Sequence, residues 1–174
     1  KICSPKDALK LGIAYVTEDR KSNGIISELN VRENITLSSL EKFTGPLDFI
    51  YNSKEEEISS EYMEKMSIKA SGTKQLLRHL SGGNQQKVSI AKSLVTEPKV
   101  LILDEPTRGV DVGARKEIYD LINNFKKEGM SIIVVSSDIP EILGICDRIM
   151  VMHEGKVSGF LKQKDATQEA IMTL

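Results

Sequence analysis

Leu80-Ser81-Gly82-Gly83-Asn84-Gln85-Gln86 is the stretch on which the reading of this chain turns. Ser81 is placed to cap a helix, and the apolar positions Val88, Ala91 and Val95 that follow recur at helical spacing. Two glycines at a helix entrance let backbone N–H groups come close to a ligand, and the helix dipole there favours an anion. A Gly-Gly pair alone would fit an ordinary turn before an ordinary helix. The whole string, running on into Lys87 and Ala91, is far more particular.

Downstream lies Val100-Leu101-Ile102-Leu103-Asp104-Glu105-Pro106. Four apolar residues followed by two carboxylates predict a strand that delivers charge to the carboxyl edge of a sheet, where α/β proteins bind ligands. A second apolar run, Ile132-Ile133-Val134-Val135, has the same character. Both suit strands covered on two faces, as in a parallel sheet. Between them a helix is expected from about Ala114 to Glu128, closed by Gly129. Thr107-Arg108-Gly109-Val110-Asp111-Val112-Gly113 joins the first strand to that helix.

Working outward, Pro5 to Leu11 reads as a short helix with Ser4 as cap and Pro5 at its first position. Ile13–Val16 reads as a buried strand, and residues 17–24 as a polar loop. Val31 to Leu40 looks helical behind Asn30, the pattern breaks at Gly45-Pro46, and a helix opened by Ser53 with Glu55, Glu56 and Glu57 in its first turn runs to about Met66. A loop containing Gly72 spans Lys69 to Lys74. Beyond the second apolar run, Asp138 to Cys146 reads as a helix, and residues 148–152 and 156–161 flank Glu154-Gly155 as a β-hairpin. The expected organisation is thus a mostly helical segment at about 30–95 set into an α/β core made of 1–29 and 96–174.

The bulk numbers are those of one globular domain. The chain has 174 residues, 40% hydrophobic and 28% charged. With 24 Lys and Arg against 25 Asp and Glu, the net charge of −1 gives no electrostatic reason to expect a nucleic-acid partner. Cys3 and Cys146 lack the spacing of a metal site and read as two free thiols in a reducing compartment. His79 and His153 stand far from any carboxylate cluster in the sequence. No apolar run approaches the roughly 20 residues that span a bilayer, so a membrane role is expected to be peripheral.

Residues 80–86 resemble the signature motif of ATP-binding cassette proteins, Leu-Ser-Gly-Gly-Gln in its commonest form. Residues 100–106 resemble the Walker B strand of the same family, and 107–113 its D-loop with Asp111 as the acidic residue. The resemblance implies a P-loop NTPase-like parallel sheet carrying a helical signature subdomain. It also implies that Ser81, Gly82, Gly83, Asn84 and Gln85 close on the γ-phosphate of ATP held by a second cassette. Asp104 would position Mg²⁺ through its water shell, and Glu105 would polarise the attacking water as general base.

Two positions depart from the family pattern. Where most members carry Gln after the first strand, this chain has Glu18, which cannot donate as an amide does. Where most carry a switch His, it has Ser137. Both departures point to a catalytically weakened site. No G-x-x-x-x-G-K-[ST] occurs, so there is no backbone nest for phosphates; the expectation is a partial cassette whose phosphate-binding loop precedes Lys1, inactive by itself.

Glu18-Asp19-Arg20-Lys21, the Leu80–Lys87 string and Asp104–Gly113 together are narrower than the general pattern. They resemble the C-terminal cassette of bacterial ribose, galactose and xylose importers, with ribose the first choice of sugar. The resemblance implies an ATPase at the cytoplasmic membrane face, a second cassette in the same polypeptide, permease subunits and, indirectly, an extracytoplasmic sugar-binding protein. The alternatives are a soluble cassette ATPase acting on DNA or ribosomes, against which the missing basic surface and long insertions count, and a catalytically silent interaction module.

Overall fold

The computed structural model describes residues 1–45 and 49–174. The expected break at Gly45-Pro46 has its proline outside the described residues. In chain order the elements that carry the argument are α1 (Pro5–Lys10), β1 (Ile13–Val16), α2 (Val31–Thr36), α3 (Asn52–Lys65), α4 (Gly82–Leu94), β2 (Val100–Asp104), α5 (Val112–Lys127), β3 (Ser131–Val135), α6 (Ile139–Ile145), β4 (Arg148–His153), β5 (Lys156–Lys162) and α7 (Gln168–Met172).

β1, β2 and β3 form a parallel sheet in that order, with Ala14 beside Leu101 and Leu101 beside Ile132. Their side chains alternate between faces. Ala14, Val16, Leu101 and Leu103 point inward and are buried with Val88, Ala91, Ile118 and Ile122. α4 packs on β1 and α5 on β3, so α4 and α5 share one core. β4 and β5 make a separate antiparallel hairpin. Its turn residues Glu154 and Gly155 both have positive φ, 47° and 74°, the primed geometry that matches strand twist.

The α/β architecture with a helical segment is as expected; the coverage of the strands is not. Ile133 and Val135 are each 51% exposed and Tyr15 is 55% exposed. The helices that pack on this sheet do so on the face of Ala14, Val16, Leu101 and Leu103, leaving the alternate residues open among the described residues. An apolar run cannot by itself distinguish a strand covered twice from one covered once.

Local differences have local causes. Residues 20–24, expected to be loop, wind into a π-helical turn capped by the Asp19 carboxylate, which accepts from Ser22 N at 3.1 Å. The helix expected to Leu40 is α-helical only to Thr36 and continues as a tighter 3₁₀ segment, kinked at Ser39. Asn30 caps it with a reciprocal box: its Oδ1 accepts from Glu33 N and its own N–H donates to Glu33 Oε2, both at 2.9 Å. α3 begins at Asn52 behind Tyr51, with no side-chain cap, so Ser53 lies inside the helix rather than opening it.

Candidate functional site

Ser81 stands at the N-cap of α4 in extended backbone conformation, and its Oγ accepts from Asn84 Nδ2 at 2.9 Å and more weakly from Asn84 N at 3.4 Å. Asn84 in turn accepts from Lys69 N at 2.8 Å, tying the entrance to the preceding loop. Gln85 donates to the carbonyls of Leu77 and Leu80, both at 3.2 Å, so its amide fixes the 3₁₀ turn that leads into α4. The first N–H groups of a helix have no partner within it, which leaves the entrance at Gly82 and Gly83 able to receive an acceptor.

The two glycines meet different neighbours. A methyl on Gly83 would overlap the methyl of Ala114 on α5, and one on Gly82 would come within 3.2 Å of the Gly109 carbonyl. Gly83 is buried. Its lack of a side chain is therefore demanded by the packing of α4 on α5, whatever its backbone N–H does. Asp111 caps α5 by accepting from Ala114 N at 3.0 Å. The 107–111 connection is further held by Thr107 Oγ1 donating to the buried Glu141 at 2.8 Å. The α4 entrance and the 107–111 connection thus form one contiguous surface.

At the carboxyl edge of the sheet, Asp104 accepts a hydrogen bond from Tyr15 Oη at 2.7 Å. That bond, ahead of desolvation, raises the Tyr15 pKa, because the carboxylate stabilises the protonated phenol. Glu105 has φ +44°, a left-handed conformation uncommon for a non-glycine residue and typical of functional turns. Its N–H donates to Val135 O and its Oε1 accepts from Ser137 N, both at 2.8 Å. Glu105 and Ser137 are therefore brought together, through the serine's backbone rather than its side chain. Glu18 is exposed and engages Arg108 in an ion pair.

Asp104 and Glu105 offer hard oxygen donors suited to Mg²⁺, which commonly takes one or two carboxylates together with substrate phosphates and its own waters. Among the described residues no group of three or more His, Cys, Asp or Glu side chains is arranged to cage an ion. The donor set fits an ion shared with a phosphate. Cys3 and Cys146 are unlinked, and burial pushes the Cys146 thiol up. His79 and His153 are exposed.

Sequence reading missed three participants. Tyr15 was expected to be buried, and Lys87 was read only as part of a motif. Lys87 is 1% exposed and donates to Glu117 Oε2 at 2.7 Å and Ser67 O at 2.9 Å, which holds Glu117 below the usual carboxylate range. Arg20 is buried at the start of the π-helical turn and donates to Gln86 Oε1 at 3.1 Å. Only the polar character of Tyr15 inside an apolar strand hinted at any of these.

Residues 4–108 match the family model described as ABC transporter. This chain belongs to the ABC transporter family. The cassette chain is 52% identical over 99% of its length to the ribose import ATP-binding protein RbsA of Caldanaerobacter subterraneus subsp. tengcongensis, covering 35% of that protein. It is 50% identical over 98% of its length to the ribose import ATP-binding protein RbsA of Clostridium tetani, covering 34%. The cassette chain thus spans about a third of the length of these relatives. Among solved structures it resembles cbiO1 of Clostridium perfringens, part of an ABC transporter complex, with 29% identity, a TM-score of 0.75, and 97% of this chain covering 65% of that one. Among the described residues no helix is long and apolar enough to cross a membrane.

Proposed function

We propose that this chain is the signature-bearing part of an ATPase that drives uptake of a monosaccharide, ribose in the first instance, and that its helix entrance completes an ATP site whose phosphate-binding loop another lobe supplies. The observation that carries the reading is the α4 entrance, a serine-capped, glycine-lined helix start. Identity of 50–52% to ribose import ATP-binding proteins supports the sugar class.

In this reading Ser81 and the N–H groups of Gly82 and Gly83 receive the terminal phosphate, where the α4 dipole favours developing negative charge. Asn84 orients the Ser81 hydroxyl, Gln85 fixes the loop that precedes it, and Asp111 holds the adjoining segment against the same surface. Asp104 and Glu105 line a second site, with Asp104 in water-mediated contact with Mg²⁺ and Glu105 as its general base. Bound Mg²⁺ would neutralise phosphate charge there. With Glu18 and Ser137 at the positions of the usual glutamine and histidine, that second site turns over slowly.

The partners are a second cassette in the same polypeptide, permease subunits that receive the closure through the segment after Glu18 and the helical region, and a sugar-binding protein that acts only through the permease. The assembly sits peripherally on the cytoplasmic face of the membrane, and nucleic acid is not a partner. Replacing Ser81 with Arg in the full-length ATPase tests the composite site. Steric and electrostatic blockage of the terminal phosphate is expected to lower ATP turnover by about 100-fold or more. A turnover equal to that of the unmodified enzyme would refute the reading.

A further inference from the structure

The π-helical turn at Arg20–Gly24 is clamped to the signature helix by two cations. Arg20 Nη1 donates to Gln86 Oε1 at 3.1 Å, and Lys92 Nζ donates to the Gly24 carbonyl. Gly24 itself is buried, and a methyl there would come within 3.1 Å of Ser89 Oγ. π-Helical turns are rare and are frequently found at functional sites. Here the turn directly follows the Glu18 position and leads into α2.

Arg20 is the anomaly in this clamp. It is only 9% exposed, its Nε is buried without a hydrogen-bond partner, and among the described residues its one side-chain hydrogen bond goes to a neutral amide. The nearby carboxylates are committed elsewhere: Glu18 to Arg108, and Asp19 to capping Ser22 N. Arg20 Nη2 lies 3.4 Å from where a Cβ on Gly82 would stand, so the guanidinium sits directly behind the first residue of α4. That end of the helix is already positive. A buried, unpaired cation beside it is unfavourable within the chain alone. The same arrangement becomes favourable once an anion stands in front of Gly82, in the cleft where Arg20, Lys21, Arg108, Gly82 and Gln85 are joined by the already engaged carboxylates Glu18 and Asp19. Burial lowers the Arg20 pKa, yet a guanidinium stays charged at any physiological pH.

We propose that Arg20 is a positioning residue for the phosphate-gripping entrance, holding the 20–24 turn on α4 and supplying behind Gly82 the positive charge that a terminal phosphate balances. This rests on the composite-site reading above. Its consequence is that the segment after β1 and the signature helix move as one body, so displacement of the turn reaches the phosphate contacts directly.

The test uses the full-length ATPase assembled with its membrane subunits, with Arg20→Gln, Arg20→Met, Arg20→Lys and Ser81→Arg measured side by side. Orthovanadate serves as the probe of the terminal-phosphate position. Arg20→Gln keeps a donor for Gln86 but removes the charge. It and Arg20→Met are expected to weaken vanadate inhibition and lower kcat by about tenfold, with KM for ATP changed by less than about threefold because another lobe holds the nucleotide. Arg20→Lys restores the charge and is expected to recover most of the vanadate sensitivity. The Arg20 proposal is overturned if Arg20→Gln inhibits like the unmodified enzyme, or if Lys, Gln and Met lose activity equally and only in step with a lower thermal midpoint. Should Ser81→Arg retain full turnover, the composite site fails and Arg20 with it. Should Ser81→Arg silence the enzyme while Arg20→Gln and Arg20→Met do not, the Arg20 assignment alone falls.

Discussion

The helix entrance at Ser81–Gly83 and the acidic edge at Asp104–Glu105 belong to one core, yet the chain treats them oppositely. At the acidic edge the protein's own groups already engage both carboxylates: Tyr15 Oη donates to Asp104 and Ser137 N donates to Glu105. At the entrance, helix N–H groups face outward without intrahelical partners, backed by a buried cation that lacks a carboxylate. A surface that satisfies itself needs no second lobe; one with surplus positive potential is completed by something anionic. On the composite-site proposal, the asymmetry makes the entrance the stronger contributor and the acidic edge the weaker.

The sharpest way to break that comparison is to set Ser81→Arg against Glu105→Gln in the full-length enzyme. A working general base is worth about 10²–10⁴-fold. Glu105→Gln is expected to lower turnover by less than about tenfold, well short of the effect of Ser81→Arg. Equal losses, read from steady-state ATP hydrolysis, would make the two regions catalytic peers.

Gly83→Ala probes the packing beneath the entrance. The added methyl collides with Ala114, and overpacking of this kind costs about 1–3 kcal/mol. The unfolding midpoint of Gly83→Ala is expected to fall, and Ala114→Gly in the same chain to restore part of it. No recovery in the double variant would mean that α4 and α5 do not meet there.

The smallest effect is expected from Tyr15→Phe. Loss of one hydrogen bond on a half-exposed side chain changes stability by about 1 kcal/mol or less. The Tyr15 pKa is raised in the folded chain, first by its bond to Asp104. Its contribution is therefore fully present below the ordinary tyrosine pKa and is lost as pH rises through the folded value. Phenolate absorbance should show late titration to which Tyr15 contributes beside Tyr62 and Tyr119, whose pKa values burial also raises, and the Tyr15 share should return toward the ordinary range in Asp104→Asn. An unchanged titration would remove Tyr15 from the acidic edge.

Much of the fold was legible because it depends on short-range chemistry. The apolar runs at 100–103 and 132–135 named their strands, Ser4, Asn30 and Ser81 each cap the helix expected of them, and Gly129 closes α5 with φ +92°. The π-helical turn escaped because nothing in Arg20–Gly24 forbids a loop; α4 selects the conformation by what it offers Arg20 and Gly24. The strand coverage escaped because burial on a second face depends on what lies across the sheet.

Local pattern and side-chain type alone established the helix entrance and the acidic strand end. Tertiary structure alone decided that Tyr15 meets Asp104, that Gly83 must make room for Ala114, that Lys87 is buried against Glu117, and that Arg20 stands behind Gly82. Each of these joins residues far apart in the chain. Capping and periodicity act over a few residues and leave a mark in the sequence, whereas contacts across the core exist only once the sheet has brought the segments together.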